Sequence, residues 1–178
     1  MKKIIMFMLV AFCISGTVMA QRSQNLKFSV GPELSIPTGN FSTGYSFGIG
    51  GTAQAELPVQ QNFNVTGTAG IIFYNGKSVG NGYKYSGLTI IPIRIGGKYF
   101  FTEGIYGAAQ IGIGIINKEY STAFAYSPQI GYEFRTNSGK AVDVSFKYDG
   151  YSSKEKNEYG VLIGGTLSAI GFRAAYIF

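Results

Sequence analysis

Ten charged side chains fall on one side of a two-residue alternation, and they are the residues of this chain best placed to do chemistry. Their sequence neighbours are mostly apolar, so a β-strand would put charged and apolar side chains on opposite faces. The set holds five acids and five bases, which could form buried ion pairs, a proton relay or the lining of a selective pore. The ten residues are Lys27, Glu33, Glu56, Arg94, Lys98, Glu133, Asp143, Lys147, Asp149 and Arg173.

The composition excludes several kinds of catalytic site. The chain has no histidine, which excludes Ser-His-Asp triads, histidine general bases and histidine metal ligands. Its single cysteine, Cys13, lies in a segment predicted to be removed, so the mature chain would carry no disulfide or thiolate metal site. The glycine-rich run at residues 112–116 lies within a predicted strand, unlike a phosphate-binding loop. We therefore expect no catalysis, no metal site and no cofactor.

Residues 1–20 are predicted to be a cleavable signal peptide. Lys2 and Lys3 form a positively charged start, and residues 4–14 form an apolar run too short for a membrane-spanning helix. The small residues that follow place the cleavage site between Ala20 and Gln21. Removal of this segment lowers the formal charge from +6 to +4, and the remaining bases are scattered, which argues against nucleic-acid binding.

The remaining domain, residues 21–178, has the composition of a chain that faces something other than water. Only 13% of the residues are charged, whereas a soluble surface usually carries about a quarter or more. The chain also contains 26 Gly, 13 Tyr and 14 Phe, but no apolar run after the signal peptide that could form a membrane-spanning helix. The two-residue alternation repeats in segments near the ~9–11 residues that a tilted strand needs to cross a bilayer. We therefore predict an all-β fold, an eight-stranded antiparallel up-and-down transmembrane β-barrel.

The connections after the second, fourth and sixth predicted strands are short, and those after the third and seventh are longer; the first connection follows this pattern least well. Short turns are expected at residues 58–62, 102–104 and 135–139. Loops are expected at residues 37–40, 75–86, 117–122 and 150–165. Bacterial barrels place short turns and both chain termini in the periplasm and longer loops outside, so this alternation predicts an outer-membrane location.

The charged residues all take the inward position of their predicted strands. An eight-stranded barrel has an interior just wide enough for side chains to fill. Because an unpaired buried charge is expensive, the balanced set should pair into a network. Inward glycines would make room for the long charged side chains. The expected result is a filled lumen, with a proton relay or a selective pore as the alternative.

Three runs of residues resemble a known family: IPIRIGGKYFF at residues 91–101, VDVSFKYD at 142–149 and GFRAAYIF at 171–178. They are similar to the small outer-membrane β-barrel proteins of Bacteroidetes-type bacteria, which include PorT-like and OmpX-like barrels. The resemblance covers about residues 26–178, and its motifs are structural.

The resemblance also implies partners. Phe172, Tyr176 and Phe178 would form the C-terminal signal read by the barrel-assembly machinery, with periplasmic chaperones acting during export. The family carries no catalytic residues to transfer. As an alternative function, it implies a PorT-like accessory role in protein secretion.

The leading interpretation is a monomeric, closed outer-membrane barrel with a structural, adhesive or accessory role. It would contact outer-membrane lipid and lipopolysaccharide, and its outer loops, above all residues 75–86 and 150–165, would bind any ligand. A small pore or transporter for solutes is one alternative. A secreted soluble barrel of lipocalin type, with its apolar face inward around a lipid, is another.

Overall fold

The computed structural model describes residues 26–78, 85–117, 121–135, 140–156 and 162–178; the expected signal peptide and its cleavage site lie outside these ranges. Eight antiparallel strands form a closed barrel in which each strand pairs with the next and the first pairs with the last. The strands are β1 (Lys27–Thr38), β2 (Tyr45–Gln60), β3 (Phe63–Gly76), β4 (Leu88–Phe100), β5 (Ile105–Ile116), β6 (Ser121–Arg135), β7 (Ala141–Lys156) and β8 (Leu162–Ile177). The predicted fold class is confirmed. No helix in the described ranges is long and apolar enough to cross a membrane.

The alternation of each strand sorts its side chains between the outer wall and the lumen. Ile95, for example, is 67% exposed on the outer wall, whereas its neighbour Arg94 is buried. Large apolar side chains from all eight strands share this outward exposure, including Leu34, Phe47, Phe73, Ile111, Ile130, Phe146 and Ile170. Such a belt fits a lipid environment, with polar residues inside. The apolar faces therefore point outward, opposite to the lipocalin-type alternative.

The connections at residues 61–62, 101–104 and 136–140 lie at one end of the barrel. The connection at 117–120, at the other end, is no longer than the second and third of these, so it is shorter than the loop expected at 117–122. Only Gln61 and Asn62 separate β2 from β3, which is shorter than the expected turn at residues 58–62 because β2 continues to Gln60. The amide of Phe178 donates to the carbonyl oxygen of Phe28 at 2.9 Å, so the last strand closes against the first at this same end. By the general organisation of bacterial barrels, this is the periplasmic end.

At the other end, the strands extend further than the sequence pattern indicates. Pro37 and Thr38 belong to β1, so the loop predicted at 37–40 begins too early. Likewise, β3 continues through Asn75 and Gly76, and β7 and β8 pair as far as Lys156 and Leu162. The apolar alternation stops at the membrane boundary, but backbone pairing does not require an apolar face. The predicted loops 75–86 and 150–165 are therefore shorter than expected.

A one-turn helix, α1 (Phe41–Gly44), follows β1 at the outer end. Gly39, at φ +56°, supplies the left-handed backbone that ends the strand. The helix carries Phe41 over the barrel mouth, where its side chain is 2% exposed. Its ring centroid lies 5.0 Å from that of Tyr45 and 4.8 Å from that of Tyr74.

Candidate functional site

The periplasmic half of the lumen is organised around Lys98 of β4. Its Nζ atom pairs with Glu133 of β6, with Glu56 of β2 at 3.1 Å and with Asp143 of β7 at 3.3 Å. Asp143 in turn pairs with Nη1 of Arg173 at 3.4 Å. All five residues are buried, and we call them the Lys98 cluster. One ammonium group thus connects strands from opposite sides of the barrel.

The outer half of the lumen holds a second ion-pair group. Arg94 pairs with Asp149, and Nζ of Lys147 lies 2.6 Å from Glu33 Oε2 and 3.7 Å from Asp149 Oδ2. Two bases and two acids therefore balance one another in this group, which we call the Arg94 cluster. Glu33 and Asp149 are fully buried. Charges buried away from bulk solvent need such pairing, because an unpaired buried charge is costly.

Hydrogen bonds to uncharged side chains occupy the lumen near the clusters. Gln110 Nε2 donates to Thr66 Oγ1 at 3.0 Å and to Thr68 Oγ1 at 2.8 Å. Arg173 donates through Nε to Thr52 Oγ1 at 2.7 Å and through Nη2 to Ser29 Oγ at 2.9 Å. These hydrogen bonds join side chains of different strands, so they stabilise the barrel from inside the lumen.

Nine of the ten charged residues singled out in the sequence are buried and belong to one of the two clusters. Lys27 is the exception: it is half-buried at the periplasmic rim and forms no ion pair with any residue in the described ranges. It lies at the first position of β1, where solvent can reach the ammonium.

Arg135, expected to lie in a turn, instead ends β6 and places Nε 3.4 Å from Glu133 Oε2. Arg135 lies two residues after Glu133, and residues at this spacing in a strand share a face. This spacing is the sequence signal that could have predicted their contact.

The outer end of the lumen is apolar, which the sequence analysis missed. Side chains from β3 to β8 and α1 form a buried group above the Arg94 cluster, which we call the apolar cap. Its members are Phe41, Ile72, Tyr74, Leu88, Ile90, Ile116, Ala123, Ala125, Tyr151 and Ala169. The adjacent isoleucines of β4 carried the signal, because two neighbours in a strand cannot both face lipid. Ile90 is 0% exposed inside the cap, and Ile91 is 38% exposed outside.

Inward glycines accommodate tyrosine rings as well as charged side chains. A Cβ atom at Gly131 would lie 2.5 Å from Tyr106 Cζ, and one at Gly114 would lie 2.5 Å from Tyr151 Cδ1. Only at Gly171 among these three does the glycine face a long cation, with Lys147 Cε 2.9 Å from the added atom. The sequence analysis explained the inward glycines by the long charged side chains alone and did not include the tyrosine rings. One of these rings, that of Tyr106, belongs to the surroundings of the Lys98 cluster, because its centroid lies 3.9 Å from Lys98 Nζ.

A pocket of about 350 Å³ opens at the outer end, beside the apolar cap, and we call it the mouth pocket. It is lined by Asn40, Phe41, Thr43, Gly44, Tyr45, Tyr85 and Leu167. Aromatic rings lead inward from it: the Tyr85 and Tyr45 centroids are 6.2 Å apart, and Phe41 connects Tyr45 to Tyr74. This pocket offers apolar contact and ring stacking to a small ligand.

The three residues of the expected assembly signal lie on the lipid-facing wall. Phe178 is 63% exposed, Tyr176 is also exposed, and Phe172 packs its ring 5.1 Å from that of Phe146. Their recognition by an assembly machinery stays a prediction. Within the described ranges, no group of three or more His, Cys, Asp or Glu side chains could hold a metal ion.

Several solved structures are similar to this one. Neisserial surface protein A has a TM-score of 0.59 and 9% identity, covering 85% of this chain and 95% of that one. The attachment invasion locus protein Ail of Yersinia pestis has a TM-score of 0.53 and 14% identity, covering 88% and 100%. The outer membrane protein OprG of Pseudomonas aeruginosa has a TM-score of 0.53 and 8% identity, covering 87% and 97%. At such identities the likeness shows the shared fold.

No curated protein matches the chain. The exposed apolar belt, together with the fold shared with outer-membrane barrels, places the protein in an outer membrane. The expected family of small eight-stranded outer-membrane barrels is confirmed at that level. A family model described as "Putative MetA-pathway of phenol degradation" matches residues 6–161. The chain therefore belongs to this family.

Proposed function

We propose that the protein is a closed outer-membrane barrel that acts through its outer end, in a structural, adhesive or accessory role, without catalysis and without solute flow through its lumen. The observation that carries this proposal is the filling of the lumen. The Lys98 cluster, the Arg94 cluster and the apolar cap follow one another from the periplasmic end to the outer end. A solute would have to displace all three.

The energetics favour a closed state. Removing one partner from a buried ion pair costs about 3–5 kcal/mol, because the other charge is left without compensation. Opening a path through the lumen would separate charges in both clusters at once. Because of this free-energy cost, we expect the lumen to open too rarely to let solutes through.

The outer end is where we place recognition. The mouth pocket is the aromatic-lined recess at that end, and the loops beside it would extend any contact surface. Ail, which shares the fold, is named for attachment and invasion and has been solved with the heparin analogue sucrose octasulfate. That likeness supports an adhesive role but does not identify a ligand for this chain.

A second candidate is the binding or uptake of small aromatic compounds. The description of the family refers to phenol degradation, and the mouth pocket is lined by the rings of Phe41, Tyr45 and Tyr85. A phenol could stack on these rings and hydrogen-bond to Asn40 or Thr43. The candidate requires binding at the mouth, and uptake would further require the apolar cap to open.

The proposal includes two further parts. One is a PorT-like role in secretion, and the other is a monomeric state. The first follows only from the sequence resemblance. The second is supported by the closed barrel, in which every strand already has two partners. Light scattering of the purified protein in detergent would test the monomer, and co-purification from native membranes would test attachment to a secretion complex.

The direct test of the main proposal is liposome swelling with sugars of increasing size. Protein refolded into vesicles should show the gel mobility shift between boiled and unboiled samples that marks a folded barrel, and should not accelerate swelling. Swelling above that of empty vesicles would support the pore instead.

Titration with phenol, followed by NMR shifts of Tyr45 and Tyr85, tests the second candidate. Phe41→Ala is the variant that should weaken binding.

A further inference from the structure

We propose that the lumen binds ordered water molecules where the Arg94 cluster meets the apolar cap, and that this water hydrogen-bonds to the guanidinium of Arg94 and to the phenol of Tyr151. The observation that carries the inference is a group of buried polar atoms to which the described residues offer no hydrogen bond. The site lies inside the barrel, so the inference is independent of the function proposed for the outer end.

The guanidinium of Arg94 uses part of its hydrogen-bonding capacity. Nη1 donates to Asp149, whereas Nε and Nη2 are buried and have no hydrogen-bond partner among the described residues. These two nitrogens form one edge of the planar group and carry donors in a fixed geometry. The side chain is 0% exposed, so bulk solvent does not reach this edge. A buried charged donor without a partner is strongly destabilising, so a small acceptor is expected there.

The phenol of Tyr151 is a second polar group of this kind. Tyr151 belongs to the apolar cap and is 1% exposed, and its Oη has no hydrogen-bond partner in the ranges that the structure describes. A buried tyrosine hydroxyl usually has one. Tyr74, another tyrosine of the cap, follows this rule, because its Oη lies 2.8 Å from Ser35 Oγ. Tyr151 therefore also needs a partner that can reach the inner side of the cap.

The strand register places Arg94 and Tyr151 in one row of the barrel wall. Arg94 of β4 lies opposite Gly112 of β5, and Gly112 lies opposite Ala125 of β6. Ala125 in turn lies opposite Tyr151 of β7. The row therefore carries two long polar side chains with only a glycine and an alanine between them. Arg94 and Tyr151 are also close enough to interact electrostatically. One layer of water can thus serve both groups.

The acids beside Arg94 favour water over an anion. Glu33 Oε1 and Asp149 Oδ2 are buried and likewise have no hydrogen-bond partner within the described ranges. The Arg94 cluster contains two bases and two acids, so a bound anion would leave a negative charge uncompensated. Water can accept from Arg94 and Tyr151 and donate to the two carboxylates. Buried water typically makes about three hydrogen bonds to groups of this kind.

The proposed water is enclosed from both ends of the barrel. The apolar cap lies on its outer side, and the Lys98 cluster lies on its periplasmic side. Exchange with bulk solvent should therefore be slow. Water held in this way opens no path for solutes, so the site agrees with a closed lumen.

The test is NMR of the folded protein in detergent micelles, with arginine labelled by ¹⁵N. The Nε–H group of Arg94 should show a rotating-frame Overhauser contact to water, whose sign separates a close water molecule from proton exchange. Arg173 supplies the control within the same sample, because its Nε donates to Thr52 Oγ1 at 2.7 Å and should show no such contact. This comparison uses the wild-type protein and depends on no variant.

Tyr151→Phe removes one of the groups that hold the water, so part of the contact at Arg94 should be lost. Tyr148→Phe, on the lipid-facing wall, is the matched control and should leave the contact unchanged. Replacing chloride with bromide in the buffer should not shift the Nε–H signal of Arg94. The boiled-versus-unboiled gel shift verifies that each variant is folded.

Three results would overturn the proposal. The first is no water contact at Arg94, or an equal contact at Arg173. The second is a contact at Arg94 that Tyr151→Phe does not reduce. The third is an Nε–H signal of Arg94 that follows the halide, which would show that the site holds an anion instead of water.

Discussion

Glu133 and Asp143 lie directly opposite each other on β6 and β7, and both are buried acids. Like charges in direct cross-strand register are destabilising. Lys98 compensates them from β4 across the lumen, where its ammonium pairs with both carboxylates and with Glu56. Arg173 adds a second positive charge beside Asp143. The pairing of β6 with β7 thus depends on a residue from another part of the barrel.

Lys98→Met should destabilise the barrel strongly. It leaves three buried carboxylates with less positive charge, and removal of one partner from such a group costs about 3–5 kcal/mol. Urea unfolding in lipid vesicles would measure the loss. Lys77→Met, an exposed lysine, is the control and should change stability by less than about 0.5 kcal/mol. If the two variants are equally stable, the Lys98 cluster does not stabilise the fold.

Gly131→Ala should destabilise the barrel through overpacking. The new methyl group would lie within 2.5 Å of Tyr106 Cζ, so the ring has to move, and its contact with Lys98 has to change. Overpacking of this kind costs about 1–3 kcal/mol. Gly67→Ala is a matched control, because the same methyl group there enters open space. Equal midpoints of urea unfolding for the two variants would contradict this explanation of the inward glycine.

Ile95→Lys should be destabilising in a lipid bilayer. Ile95 is the most exposed of the large apolar side chains on the strands, and a lysine on the lipid face near the bilayer centre costs about 2–4 kcal/mol. Unfolding in vesicles is the measurement, with Ile95→Leu as a control of unchanged polarity. A lysine tolerated without loss would mean that this face does not contact lipid.

Phe41→Ala should loosen the outer end without opening the lumen. The substitution removes the ring that connects Tyr45 and Tyr74, so the apolar cap should lose stability. Solutes should still not pass, because both ion-pair clusters remain beneath it. Liposome swelling with the variant checks this. Rapid swelling would show that the apolar cap alone closes the barrel.

The two-residue alternation predicted the strands and their inward and outward faces, because a bilayer enforces that sorting along each strand. It did not predict the apolar cap, because the charged inward positions predict a polar interior throughout, and Ile72, Tyr74 and Ile90 do not fit that pattern. The partners within each cluster could not be predicted either. Arg94 and Asp149 are far apart in sequence, and their contact depends on how the closed barrel sets distant strands across the lumen.

The helix α1 was also missed. Its four residues are too few to show a helical periodicity. The burial of Phe41 could not be predicted either, because it depends on contacts that form only at the mouth of the closed barrel. Tyr45 shows the same limitation. The alternation places it on the outer wall, but a register shift between Tyr45 and Gly48 lets it pack against Phe41 instead.

The central claim is a folded membrane barrel whose lumen is closed. Single-channel recording in a planar bilayer, on protein whose folding is verified by the boiled-versus-unboiled gel shift, tests it most directly. We expect the gel shift and no steady conductance, since the two ion-pair clusters and the apolar cap fill the lumen. Steady conductance from the folded wild-type protein, altered by Lys98→Met, would contradict the claim and make the Lys98 cluster part of a pore.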